Sequence, residues 1–121
     1  MITAANRLIR KPYRWGGGHR RPWPAIDRGY DCSGAVSYVL YGARLLESPL
    51  DSTGLARFGD RGRGRWATVY ANRNHAFIVI AGLRFDTGAR DASVTPTGSG
   101  PRWAASSRSA RGFRARHPAG L

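Results

Sequence analysis

The sequence predicts an α+β fold on three observations. Val36, Val39, Leu40 and Ala43 recur at helical spacing behind a capping residue, Asp31. Three short β-rich runs at 66–70, 76–81 and 83–87 then follow one another, separated by Asn72-Arg73-Asn74 and by a turn around Gly82. The two patterns lie in separate parts of the chain and do not alternate. That arrangement belongs to helices packed on one face of an antiparallel sheet, not to a parallel sheet built from crossover helices. A length of 121 residues with 41% hydrophobic content is sized for a single domain, 1–121.

Element by element, residues 3–9 (TAANRLI) read as a short helix, ended by Lys11-Pro12 because proline disfavours helix in the residue before it. Residues 12–29 are dense in Gly, Pro and Trp and read as a long ordered loop. The segment 32–46 is a partly buried helix with Cys32 in its first turn. A second short helix is expected over 51–58, capped by Asp51 or Ser52, before a Gly- and Arg-rich loop at 59–64. The three β-rich runs form an antiparallel meander. After a Gly-, Ser-, Thr- and Pro-rich stretch at 88–111, residues 112–116 add a closing edge strand.

Composition excludes several classes. The longest apolar stretch, 76–83, is far short of the roughly 20 residues that span a bilayer, so no membrane span is expected. Arg7 and Arg10 are followed by no apolar run, so the chain is read as lacking a secretory signal. One cysteine rules out an internal disulfide framework and a multi-cysteine zinc site. The net charge of +13 invites anionic partners, yet 19 of the 20 basic residues are Arg in a chain rich in Ala and Gly, a skew that coding bias also produces. No nucleic-acid-binding motif accompanies the charge, so no specific nucleic acid is expected as a partner.

Cys32 is the first candidate for chemistry. A thiol at a helix start lies beside unpaired backbone N–H groups and the positive end of the helix dipole, and both favour the nucleophilic thiolate. Asp31, Ser33 and Gly34 flank it where a buried hydrophobic thiol, the alternative reading, would have apolar neighbours. A nucleophilic thiol needs a base. His75 leads the most apolar run, and alternation places it on the face of Phe77, Val79 and Ala81. If that face is the one the Cys32 helix covers, imidazole meets thiol. His19, in the Gly/Trp loop, and His117, near the C-terminus, are read as structural surface residues. A third group would orient the imidazole. A turn centred on Ala81-Gly82 pairs position 86 with position 77 and sets Asp86 diagonally across from His75; a turn one residue later pairs Asp86 with Val79 and leaves Thr87 and Asn74 as substitutes.

Taken in order, Pro12-Tyr13-Arg14-Trp15-Gly16-Gly17, Asp31-Cys32-Ser33-Gly34 opening a helix, and His75 leading an apolar strand resemble the NlpC-type cell-wall cysteine peptidases. The resemblance spans residues 10–87 and implies a papain-like core. It implies hydrolysis of a peptidoglycan stem-peptide bond, often between D-γ-glutamyl and a diamino acid, with no metal and no cofactor. On this resemblance Cys32 is the nucleophile, and His75 is the general base and later the acid. Tyr13 matches the active-site tyrosine. Asp31 and Ser33 match positions that hold the free amine of the stem peptide, and Ser52 matches another substrate contact. An extracellular or cell-wall location, stem peptides as partner and a monomeric chain are the corresponding expectations.

The chain departs from the family pattern in three places. Gly64-Arg65-Trp66-Ala67-Thr68-Val69 stands where the family has a Gly-Asp-Leu segment, Asp86 and Thr87 stand where it commonly has a second His, and the loop after Tyr13 is enlarged at 19–27. The readings outside the peptidase class are a catalytically silent wall-binding domain on the same scaffold, a basic nucleic-acid binder, and an acyltransferase or small-amide hydrolase that would share the nucleophile and base.

Overall fold

The computed structural model describes residues 1–88, 99–104 and 109–121. The apolar spacing behind Asp31 forms helix α2 (Cys32–Gly42), in which every residue from Cys32 to Leu40 is buried. It is shorter than the expected 32–46 because Arg44 turns to φ 60°. The Leu45 amide then donates to the Leu40 carbonyl at 3.0 Å and the Arg44 amide to the Tyr41 carbonyl at 2.8 Å, which is a Schellman closure. Leu45 and Leu46 still pack on the core, so their apolar character belongs to the cap and not to a longer helix.

Helix α1 (Ile2–Asn6) is likewise shorter than 3–9 and continues as turns to Lys11. Helix α3 (Ser52–Leu55) is capped by Asp51, whose carboxylate accepts from the Gly54 amide at 2.7 Å. It relaxes into turns before 58. Helix α1 packs on α2, and α2 lies over the sheet.

Six strands, all antiparallel to their neighbours, make one sheet among the described residues. They are β1 (Asp60–Arg61), β2 (Ala67–Ala71), β3 (Ala76–Ile80), β4 (Leu83–Asp86), β5 (Arg102–Ala104) and β6 (Arg114–His117), in the spatial order β1-β6-β2-β3-β4-β5. The α+β class and the β2–β3–β4 meander are as the sequence predicts.

Three features differ from expectation. The closing strand forms, but it lies inside the sheet between β1 and β2. The Arg116 guanidinium donates to the carbonyls of Arg57, Phe58 and Gly59, drawing the 59–64 loop close enough for Asp60–Arg61 to pair with β6. Strand β5 lies within the stretch expected as loop; Trp103 packs its ring on Phe85 and donates from Nε1 to Asn6 at 2.8 Å, which ties this strand to α1. Within that stretch, 89–98 and 105–108 lie outside the described residues.

The third difference concerns faces. Ala76, Ile78 and Ile80 join the core under α2 with Val69, Ala71, Phe85 and Trp103, whereas Phe77 stacks on Tyr70 and meets Phe113 on the opposite side. The helix therefore covers the face opposite to that of Phe77 and Val79. Strand β3 is apolar on both faces, so alternation carries no information about which one a helix will cover.

The β3–β4 connection decides the placement of Asp86. Ala81 (φ 50°) and Gly82 (φ 83°) both take positive φ, the pattern of a type I′ hairpin turn, and Ile80 pairs with Leu83. That register sets position 86 opposite position 77. Alanine is a poor residue for the first turn position, since its Cβ is strained at positive φ. Ala81→Asn is expected to raise stability by about 0.5–1 kcal/mol in urea unfolding, with the sheet register unchanged.

Candidate active site

The start of α2 is assembled around one carboxylate. Asp31 Oδ1 accepts from the Gly34 amide at 2.7 Å as the helix N-cap, while Oδ2 accepts from the Gly16 amide at 3.2 Å. The 12–29 loop is closed at its base by a bridge between Tyr13 and Tyr30, and Asp27 Oδ2 accepts from the Gly18 amide at 3.1 Å. The loop lies directly on the first helical turn. A Cβ at Gly34 would overlap the Gly17 carbonyl oxygen, so only glycine permits this approach.

Cys32 is thereby held at the helix tip, buried, with its sulfur 3.8 Å from Ser52 Oγ. His75 precedes β3, and its Nε2 lies 2.8 Å from Asp86 Oδ1, while the ring lies near enough to the Cys32 thiol for the two to shift one another's protonation. Asp86 is almost fully buried; it also accepts from the Gly88 amide at 2.7 Å, and Arg84 Nη1 stands 3.7 Å from its Oδ2. The alternative substitutes for orienting His75, Thr87 and Asn74, are not needed: the Ala81-Gly82 turn brings Asp86 into place. The His75 ring sits 6.2 Å from both Phe77 and Phe113, so it stays on the Phe77 side and meets the thiol at the end of the sheet, not within the core under α2.

The electrostatics of the pair point one way. Burial pushes the Cys32 thiol up, but hydrogen bonding to His75, its positive charge, the Ser52 hydroxyl and the Ala76 amide outweigh this and bring it below its ordinary value. Burial alone would lower His75; hydrogen bonds to Asp86 and Cys32 and the charges of both raise it to about 9. The two directions converge on a thiolate–imidazolium pair.

A cleft of about 460 Å³ opens onto the thiol and is lined by Tyr13, Asp31, Ser33 and Ser52, with Trp15, His19, Arg73 and Asn74 among its other walls. All four sequence-derived contact residues are thus in one place. The Tyr13 phenol is raised by burial and by the charges of Cys32 and Asp31, as its position beside the thiol requires. Ser52 stands against the sulfur, and Asp31 and Ser33 are already engaged. His19 Nε2 lies 2.9 Å from Asp31 Oδ1 and 3.1 Å from Ser33 Oγ, and the hydrogen bond to Asp31 raises the imidazole above its ordinary value despite burial.

His19 is therefore a cleft residue, not the surface residue expected from sequence. Its contact depends on how the loop folds back, which no local pattern encodes. Trp15, 88% exposed at the cleft wall, lies within the Tyr-Arg-Trp-Gly-Gly run, whereas Arg73 has only a turn signal in the sequence and Asn74 stands there only as a substitute for orienting His75. His117 is structural, its Nδ1 3.0 Å from the Gly62 carbonyl. Among the described residues no group of three His, Cys, Asp or Glu side chains is gathered to hold a metal. No described helix is long and apolar enough to cross a membrane.

Two outcomes follow from the pair. His75→Ala is expected to raise the Cys32 titration, followed by thiolate absorbance, and to slow iodoacetamide alkylation at neutral pH about tenfold. Folded His75 keeps its proton to about 9, against an ordinary 6.5, so between those values the folded chain holds a proton that the unfolded chain releases. The stability this supplies is complete below about pH 6.5 and is lost as pH rises through about 9; Asp86→Asn should flatten that loss in urea midpoints measured across the interval. No family model matches the chain, and no curated protein or solved structure matches it, so its chemistry is read from this cleft.

Proposed function

We propose that the protein is a papain-like, NlpC-type cysteine peptidase that hydrolyses a peptidoglycan stem-peptide bond, acting at the cell wall. The observation that carries this reading is the line Cys32–His75–Asp86: a thiol at a helix start, an imidazole coupled to it, and a buried carboxylate 2.8 Å from the ring's Nε2. The order Tyr-x-Trp-Gly-Gly, Asp-Cys-Ser-Gly and strand-leading His supports the substrate class, as does the cleft those residues share.

The Cys32 thiolate attacks the scissile carbonyl carbon, and the charge that develops on oxygen lies near the Cys32 amide, which has no intrahelical acceptor at the first helical position. His75 Nδ1–H gives its proton to the departing amine as the C–N bond breaks, leaving a thioester. Neutral His75 then takes a proton from water as the hydroxide adds. Collapse expels the Cys32 thiolate and releases the carboxyl product. Asp86 holds the ring in the productive orientation and stabilises its charged form, a task made possible by its own burial against Arg84.

Digestion of purified cell-wall sacculi tests the proposal. Wild type should release muropeptides, Cys32→Ala should release none, and Asp86→Asn should lower kcat/KM about 10²-fold. Equal release by wild type and Cys32→Ala would refute it. Binding to sacculi without cleavage would favour the silent wall-binding reading.

A further inference from the structure

The catalytic cleft does not end at the thiol. Thr53 and Arg73 are shared between it and a second depression of about 270 Å³. Ala56, Arg57 and Arg114 are shared in turn between that depression and a third, of about 640 Å³, which Arg61 also lines. The three make one continuous groove from Cys32 across the outer surface of α3, β1 and β6. Its middle is pinned by the Asn72 side chain, which donates to the Gly112 carbonyl at 3.2 Å.

Charge lining the second and third depressions has one sign, and its arginines have no ion-pair partner among the described residues. Arg57, Arg61, Arg73 and Arg114 are exposed. The four ion pairs among the described residues involve none of them. Arg116 differs, since its guanidinium is committed to backbone carbonyls. Guanidinia in a row repel one another and are relieved by a chain of anions. Phosphodiesters suit guanidinium geometry. No aromatic side chain lines the second or third depression, so that part of the groove lacks the stacking platforms by which single-stranded nucleic acid is held.

We propose that this arginine groove binds a flexible phosphodiester polymer of the cell wall and so seats the enzyme with its cleft against the stem peptides; this rests on the peptidase reading for the polymer's source. Arg73 stands at the junction of groove and cleft, while Arg57, Arg61 and Arg114 lie beyond it and touch nothing in the catalytic line. The groove therefore supplies affinity for the wall without altering the chemistry of the thiol.

The test measures binding of purified poly(glycerol phosphate) by calorimetry across a salt series, with the triple variant Arg57→Gln/Arg61→Gln/Arg114→Gln and the corresponding triple Lys variant. Wild type should bind; the Gln variant should lose about tenfold or more in affinity, with a salt slope shallower by about two units, and the Lys variant should retain most of both. Cleavage of a soluble stem peptide should be unchanged in the Gln variant. Polymer binding equal in wild type and Gln variant, or absent in wild type, overturns the proposal. Tighter binding of duplex DNA with the same number of phosphates, lost in the same variant, overturns it in favour of nucleic acid. Soluble-peptide cleavage is read separately, so failure of the peptidase reading shows as no turnover while polymer binding still reports on the groove.

Discussion

The carboxylate of Asp31 is the interaction on which the site depends. It caps α2 through the Gly34 amide, holds the glycine loop through the Gly16 amide and takes the His19 imidazole, all with two oxygen atoms. Each bond serves a different part of the molecule: the helix start that positions Cys32, the loop that walls the cleft, and the imidazole beside Ser33. Asp31 is a negative charge next to a thiol that must ionise, yet its oxygens are spent on donors. Burial is the largest influence that raises the Cys32 thiol, and His75 answers it.

The second constraint is the hairpin. A two-residue turn at Ala81-Gly82 sets the β3–β4 register, and the register brings the Asp86 carboxylate to Nε2 of His75. The catalytic line therefore joins two elements that fold by different rules. Cys32 is placed by a helix cap, and His75 and Asp86 by strand pairing. They meet because α2 packs across β3 and β4, with glycine at 34 allowing the loop to close over the junction.

How far the sequence reveals this varies with the range of the interaction. The N-cap at Asp31, the helix behind it, and the three central strands are legible because each is encoded by neighbours a few residues apart. Asp86 was legible as one of two registers, and positive φ at Ala81 was the missing fact. Strand β5 and the interior position of β6 were not legible. Arg102–Ala104 is too short to show alternation, and the partner of β6 is recruited by Arg116 reaching carbonyls nearly sixty positions away in the chain. His19 was hidden for the same reason, since its approach to Asp31 and Ser33 exists only once the enlarged loop has folded back on the helix.

By itself the sequence determined the α+β class, the identity of a cysteine at a helix start, a histidine ahead of an apolar strand, and a carboxylate within hairpin reach. Tertiary structure decided which face of the sheet α2 covers, which register the hairpin takes, that His19 belongs to the cleft, and that scattered arginines line up as one groove. The division follows from physics. Caps, turns and periodicity act through bonds between near neighbours in the chain, whereas faces, grooves and charge rows are set by packing between segments that the local pattern leaves free.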